Sequence, residues 1–356
     1  MIHFLMPSLP RATDTPLARC MVDSGLQHRL FSGKLRLRYK FRLWLILVGW
    51  PTIALYGLRL AFKSLTSTPV PRVIVVYSHI EVLMVSAVRL FLRRQQTKIV
   101  LMGFILTARR GRFHNYLRGK YFRFIFSLTS LVVVHSQTEA KRYADQFEGC
   151  GSRFVFIPWA THVNGLDALR TSNGPKVDGD NGYILTAGRS GRDYRTLFEA
   201  FRSSNHRVRV VCDYAAALNG CRPSANIEVY DHCYGEAYLK QLWNAYCVVI
   251  PLAVDDISAG QMVLIQAMAM GKPIVITGTT TTAEYLTDGY DGLCVPACDP
   301  IALREAVDRL FKDQQLSKRL GTNAESTYSS RFSIPVFVSR LLQEIKIIDP
   351  RAGQDA

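Results

Sequence analysis

From residue 70 onward the chain alternates short apolar runs with amphipathic stretches. VIVVYSH (73–79), KIVLMGF (98–104), LVVVHS (131–136) and FVFIP (154–158) are continuous apolar segments bounded by turn residues. Runs of this length without polar alternation read as strands buried on both faces, as in a parallel sheet. Residues 163–182, VNGLDALRTSNGPKVDGDNG, are polar and rich in Gly, Asn and Asp, and read as a linker. The alternation then restarts with YILTAG (183–188), VRVVCD (208–213), IEVY (227–230), CVVIPL (247–252), PIVIT (273–277) and GLCVP (292–296). Asp299 and Pro300 sign a helix start, as N-cap and first helical residue. Residues 333–347, SIPVFVSRLLQEIKI, read as a last helix that crosses back to the first half. Before residue 70 the pattern is less regular: IHFLM reads as a short strand and residues 15–30 as a helix.

Repeated strand–helix units predict an α/β protein with right-handed crossovers. Two blocks of them predict two Rossmann-like, doubly wound domains facing a cleft. The expected boundaries are residues 1–162 for the first domain, 163–182 for the linker and 183–331 for the second, with a returning helix at 332–347. Ligands are expected at the carboxyl ends of the strands.

Charge changes this picture. Residues 1–150 carry 23 Lys/Arg against 6 Asp/Glu, so the whole excess of the +16 chain lies in the first half. Such asymmetry points to an anionic partner, lipid or nucleic acid, or to a solvated basic surface. No nucleic-acid motif is present, so no nucleic-acid partner is expected. KLRLRYKFR (34–42) alternates basic and apolar residues and leads into LWLILVGWPTIALYGLRLAF (43–62). That run is about long enough to span a bilayer. Pro51, Arg59 and the aromatic residues Trp44, Trp50 and Tyr56 fit a surface-lying helix or a buried core helix as well. An anionic membrane surface engaging residues 34–63 is therefore expected. The eight cysteines form no CxxC pair, and no basic n-region precedes the first apolar residues. Both features point to a reduced, cytoplasmic protein without a zinc site, peripheral to the membrane at its cytoplasmic face.

Two loops carry candidate chemistry. In AGRSGRDYRTL (187–197), Gly188 and Gly191 permit a tight turn into a helix expected to begin near Asp193. Arg189 and Arg192 can grip a diphosphate there, or stand as solvated arginines on a plain turn. In PLAVDDISAGQMVLIQAMAMGKPIVIT (251–277), Asp255 and Asp256 precede a helix that Ser258 can cap and Gly271 can end. That helix is apolar nearly all round, with Gln266 the lone polar side chain in its middle. A buried amide needs a partner, either internal or on a ligand. Glu284, after the Thr-rich loop, reads as structural. His79 ends a strand beside Glu81 and is either a cleft residue or a core histidine. His114 lies in the basic, aromatic run 108–123, which either takes acceptor phosphates or is a solvated face.

The stretches SAGQMVLIQAMAMGKPIVIT and AEYLTDGYDGLCVPACDPIALREAV, with the GR turn at 188–189, resemble the donor region of the retaining family-four glycosyltransferases. VIVVYSHIE and LVVVHSQTEAKRY are similar to the same family in the first half. The resemblance implies the GT-B fold and sugar transfer from a nucleotide diphosphate-sugar, without a cofactor and usually without a metal. It places Arg189 on the diphosphate, and Arg192 where the family carries a lysine. The family's glutamate pair falls on Ser258 and Gln266, so both carboxylates are missing. Gln266 is then expected on the ribose hydroxyls, with Asp255 or Asp256 as substitutes near the donor sugar. The amides of Ala259, Gly260 and Gln261 are expected to face the phosphates. The expected acceptor is lipid-linked or saccharide, and no general base is identifiable. The competing expectation is a non-catalytic GT-B-like protein that binds a sugar nucleotide or scaffolds an assembly.

Overall fold

The computed structural model describes all residues except 7–15, 24–26, 33–47, 107–111, 164, 172–181, 214, 219, 254–257 and 353–356. The chain divides into two compact units, Met1–Ile157 with Ile334–Ala356, and Pro158–Ser333.

In the first unit the elements run β1 (Ile2–Met6), α1 (Pro16–Asp23), β2 (His28–Ser32), α2 (Trp50–Leu65), β3 (Val73–Val76), α3 (His79–Phe91), β4 (Lys98–Met102), α4 (Arg112–Leu128), β5 (Leu131–Val134), α5 (Gln137–Gln146) and β6 (Phe154–Phe156). The strands form one parallel sheet in the order β2-β1-β3-β4-β5-β6. Its middle strands are buried on both faces, as their unbroken apolar runs require. Leu60 and Leu65 of α2, Val82 and Val85 of α3, Ile125 and Phe126 of α4 and Tyr143 of α5 cover one face. The other face is covered by Met21 of α1 and by Val338, Leu341 and Ile345 of the last helix, Ile334–Ile348. Arg72, just before β3, holds Asp349 in a 2.9 Å ion pair and fixes the end of that returning segment.

Two readings change here. Residues 15–30 are not one helix: the helix stops at Asp23, and His28–Ser32 is a strand. As an edge strand it buries only Phe31, so its sequence lacks the apolar run that marks the inner strands. Within 43–62, the described part belongs to a helix that starts at Trp50, with Pro51 in its first turn, where a missing N–H costs nothing. That helix is both a core and a surface element: Leu60, Ala61 and Leu65 face the sheet, while Leu55, Leu58 and Phe62 are exposed. Among the described residues, no helix is long and apolar enough to cross a membrane. The KLRLRYKFR run lies outside them.

The second unit contains α6 (Leu166–Thr171), β7 (Tyr183–Ala187), α7 (Tyr194–Phe201), β8 (Arg207–Val211), β9 (Ile227–Tyr230), α8 (Glu236–Asn244), β10 (Cys247–Ile250), α9 (Gln261–Ala269), β11 (Ile274–Thr277), β12 (Leu293–Val295), α10 (Pro300–Lys312) and α11 (Gln314–Thr327). Its sheet is parallel, in the order β12-β11-β10-β7-β8-β9. The linker reading holds less of the chain than expected. Val163 is buried, and Leu166 and Leu169 pack against the core of this unit, so the apolar residues within that polar stretch anchor it. The unit itself begins at Pro158.

Candidate functional site

Strand order reverses in the second unit between β7 and β10, because the chain leaves β7 toward β8 and returns on the other side. Ligands of open α/β sheets bind at such a point, beyond the carboxyl ends of the strands. Both candidate loops lie there. They are stitched together by backbone bonds from Asp193 N–H to the Pro251 carbonyl and from Ala253 N–H to the Gly191 carbonyl, each 3.0 Å.

The first loop is wound tightly. Gly188 has φ +106°, and a Cβ there would lie 2.7 Å from an Arg192 guanidinium nitrogen. Arg192 Nε donates to the Ala187 carbonyl at 2.9 Å, and its Nη1 donates to the Ser190 carbonyl at 3.1 Å. The Tyr194 hydroxyl donates to the Gly188 carbonyl. The carbonyls of the turn are thus turned inward and satisfied. Burial pushes the Arg192 pKa down, and among the described residues no carboxylate pairs with it. A guanidinium held by carbonyls alone keeps its full charge and leaves part of its donor fork for an anion.

The helix after this turn has a side-chain cap of its own. Asp193 caps it, accepting from Thr196 N–H at 3.0 Å and from the Thr196 hydroxyl at 2.6 Å. The start of α9 has no such side-chain cap among the described residues. Ser258 is not its N-cap: the cap position is Gly260, at φ +86°, with no side-chain hydrogen bond. A Cβ on Gly260 would stand 3.0 Å from Ile250 Cγ2 and 3.6 Å from Arg192 Nη1, so the helix starts directly against the guanidinium. First-turn N–H groups without a cap need an outside acceptor. Ala259, Gly260 and Gln261 therefore share one corner with Gly188 and Arg192, while Ser258 is buried beneath it.

Gln266 has an internal partner that the sequence did not reveal. The Tyr238 hydroxyl, from α8, donates to Gln266 Oε1 at 3.0 Å. Burial raises the Tyr238 pKa, so that hydroxyl stays protonated and remains the donor. With its oxygen occupied, the half-buried amide has only its NH2 group left to donate further. The signal was out of reach because Tyr238 lies 28 residues upstream on another helix.

Arg189 is separate from Arg192. It is 62% exposed and reaches Asp213 at 3.8 Å, while Asp213 accepts from the Tyr234 hydroxyl at 3.0 Å. Asp255 and Asp256 lie outside the described residues. Glu284 closes a short 3-10 turn, and its carbonyl accepts from Arg331, in keeping with a structural place.

In the first unit His79 is the first residue of α3, at the carboxyl end of β3, beside that sheet's own reversal between β1 and β3. Ser78 and Glu81 form a capping box that fixes this helix start. His79 Nδ1 shares a 2.9 Å hydrogen bond with the Tyr121 hydroxyl, and the Trp50 ring lies 5.8 Å away. Burial and then Arg118 lower its pKa, so the ring is neutral at pH 7. His114 is exposed on α4.

Two Rossmann-like units, the second with a half-buried arginine beside a helix start that has no side-chain cap among the described residues, define a GT-B fold. Comparison with known proteins agrees. Residues 219–327 match the family described as glycosyl transferases group 1, which is the level at which the sequence resemblance is met. The chain is 32% identical over 120 residues to the D-rhamnosyltransferase WbpZ of Pseudomonas aeruginosa, a stretch that is 33% of this chain and 30% of that protein. It is 35% identical over 72 residues to an uncharacterized glycosyltransferase of Methanocaldococcus jannaschii, covering 20% of each. These matches span well under two thirds of the relatives' own lengths. Among solved structures, sucrose-phosphate synthase of Thermosynechococcus elongatus superposes with a TM-score of 0.70 at 17% identity, covering 97% of this chain and 99% of that one. Anabaena HepE, solved with UDP and glucose, superposes with a TM-score of 0.63 at 13% identity, over 97% and 99%.

Proposed function

We propose that this chain is a glycosyltransferase that moves a sugar from a nucleotide diphosphate-sugar to a lipid-linked or polysaccharide-precursor acceptor, with retention and without a metal, at the cytoplasmic face of a membrane. The observation that carries the reading is the half-buried Arg192 guanidinium, without a described carboxylate partner, set 3.6 Å from where a Gly260 Cβ would stand at the start of α9, which has no side-chain cap among the described residues. A diphosphate satisfies both at once. The HepE structure, with UDP bound to the same fold, supports that class of donor. Preorganised donors aimed at the leaving diphosphate stabilise the charge that develops as the glycosidic bond breaks. Arg189, on the solvent side, adds an exposed charge. The basic first unit supplies the acceptor side, with His79 and Tyr121 as its candidate polar contacts.

A second reading is a sugar-nucleotide binder without turnover, favoured by Ser258 and Gln266 where the family carries glutamates. Donor hydrolysis in the absence of acceptor, across a panel of nucleotide sugars, separates the two. Slow release of a nucleoside diphosphate is expected. Tight binding with no release, even when lipid-linked acceptors are supplied, leaves the second reading standing.

Gln266 bears on the nucleoside half of the donor. Gln266→Leu keeps the volume and removes the amide, and is expected to weaken nucleotide binding by about 1–3 kcal/mol. The loss should be smaller for a 2′,3′-dideoxy nucleotide. Tyr238→Phe, which leaves the amide in place, should have less effect in the same titration. Unchanged affinity in Gln266→Leu would make it a core amide and nothing more.

A further inference from the structure

Between Asp23 and Glu139 the chain has one acidic residue, Glu81, against nineteen lysines and arginines. Glu81 is 3% exposed and held by the backbone N–H groups of Tyr77 and Ser78, so it gives the surface almost no negative charge. The helices of this stretch, α2, α3 and α4, lie in succession on one face of the first sheet and share one core beneath them.

Their outward sides are apolar where water would favour polar residues. On α2, Leu55, Leu58 and Phe62 stand at the spacing of one helical stripe, with Arg59 and Lys63 beside them. On α4, Leu117, Tyr121 and Phe124 repeat that spacing, flanked by Lys120 and Arg123. Leu90 and Phe91 end α3 beside Arg93 and Arg94, and Phe91 is 80% exposed. Thirteen of the nineteen exposed large apolar side chains among the described residues fall between Val48 and Phe124, so this exposure is concentrated rather than scattered. At α5 the pattern ends, with exposed Asp145 and Glu148.

We infer that the outer face formed by α2, α3 and α4 together docks on an anionic phospholipid bilayer. Complementarity selects this occupant: a cationic, acid-free surface studded with Leu and Phe matches a layer with negative headgroups above hydrocarbon. Nucleic acid matches the charge but not the aliphatic stripes. The inference deepens the membrane part of the proposed function, widening it from one segment to a three-helix plane, and is independent of the donor site.

The test is vesicle flotation of the full chain, without nucleotide. Binding to an equal mixture of phosphatidylcholine and phosphatidylglycerol is expected, with little to phosphatidylcholine alone and a steep loss in salt. Each basic residue near the surface is worth about fivefold. Phe62→Glu, Phe91→Glu and Phe124→Glu, one per helix and all exposed, should each lower binding at least about tenfold, from lost apolar burial and added repulsion. Unchanged melting temperatures confirm the fold. If a variant melts early, Lys63→Glu, Arg94→Glu or Lys120→Glu replaces it on the same helix. Nucleoside diphosphate affinity should not change in any of them, which separates this result from the fate of the donor site. Wild-type flotation by the α3 and α4 variants overturns the inference. So does loss of self-association without loss of flotation, which would make the face a contact between copies, or tighter binding to single-stranded RNA than to vesicles at equal phosphate.

Discussion

Arg192→Ala is expected to weaken nucleoside diphosphate binding by about a hundredfold, the worth of roughly 3 kcal/mol in charged hydrogen bonds. Two losses combine. The charge at the start of α9 goes, and so does the brace that holds the Ala187 and Ser190 carbonyls inward. Arg192→Lys should recover little, because one ammonium cannot bond two carbonyls and an anion with the geometry of a planar fork. Arg189→Ala removes an exposed side chain with a loose carboxylate neighbour, and should cost about tenfold in the same calorimetric titration. A larger loss for Arg189 than for Arg192 would invert the assignment, leaving Arg192 as a turn brace only.

Acid should destabilise the first unit. His3 is fully buried, with Nδ1 2.8 Å from the Ser64 hydroxyl, and His135 is buried, with Nδ1 2.9 Å from the Ile157 carbonyl. Burial pushes both pKa values down from 6.5 to about 4. The unfolded chain therefore binds two protons that the folded unit refuses in this range, so their contribution to stability is complete above pH 6.5 and is lost as pH falls to 4. At about 1.36 kcal/mol per pKa unit, each histidine accounts for roughly 3 kcal/mol. Glu81 acts in the opposite sense. Burial raises its pKa from 4.5 to about 7, so the folded unit takes up a proton first and gains stability as pH falls through that window. One carboxyl against two histidines leaves a net loss of about 3 kcal/mol, a large share of the 5–15 kcal/mol that holds a typical domain. Urea unfolding at pH 7 and pH 4, followed through the first unit, reads this directly. Stability that holds or rises on acidification would mean that the two rings are protonated in the folded state. Glu81→Gln removes the offset and should steepen the decline.

The sequence by itself determined the burial pattern and the architecture that burial imposes. A strand covered on both faces must be apolar throughout, so β3, β4, β5, β7, β10 and β11 stand in the sequence as unbroken runs. The βα alternation then prescribes two doubly wound sheets. Local chemistry was legible too: Asp299 caps α10 as its position suggested, accepting from Ile301 and Ala302 N–H at 3.0 and 2.9 Å. The edge strand β2 was not legible, because an element exposed along one side has no need of the apolar run. Nor was the α9 cap. Ser258 has the right side chain, but the cap position falls on Gly260, at φ +86° with Ile250 Cγ2 3.0 Å from where a Cβ would stand, a conformation that glycine takes without strain. The sequence placed Arg189 and Arg192 three residues apart and made them look equivalent. Only the tertiary structure divides them, turning one toward Asp213 and solvent and setting the other, half-buried, against a second loop from a neighbouring strand. The same holds for Gln266, whose partner Tyr238 arrives on a separate helix, and for the three-helix face, whose stripes are dispersed over 77 positions from Val48 to Phe124 and become one surface only when the sheet sets the helices side by side. Periodicity records which side of an element is buried, and long-range packing decides which elements meet.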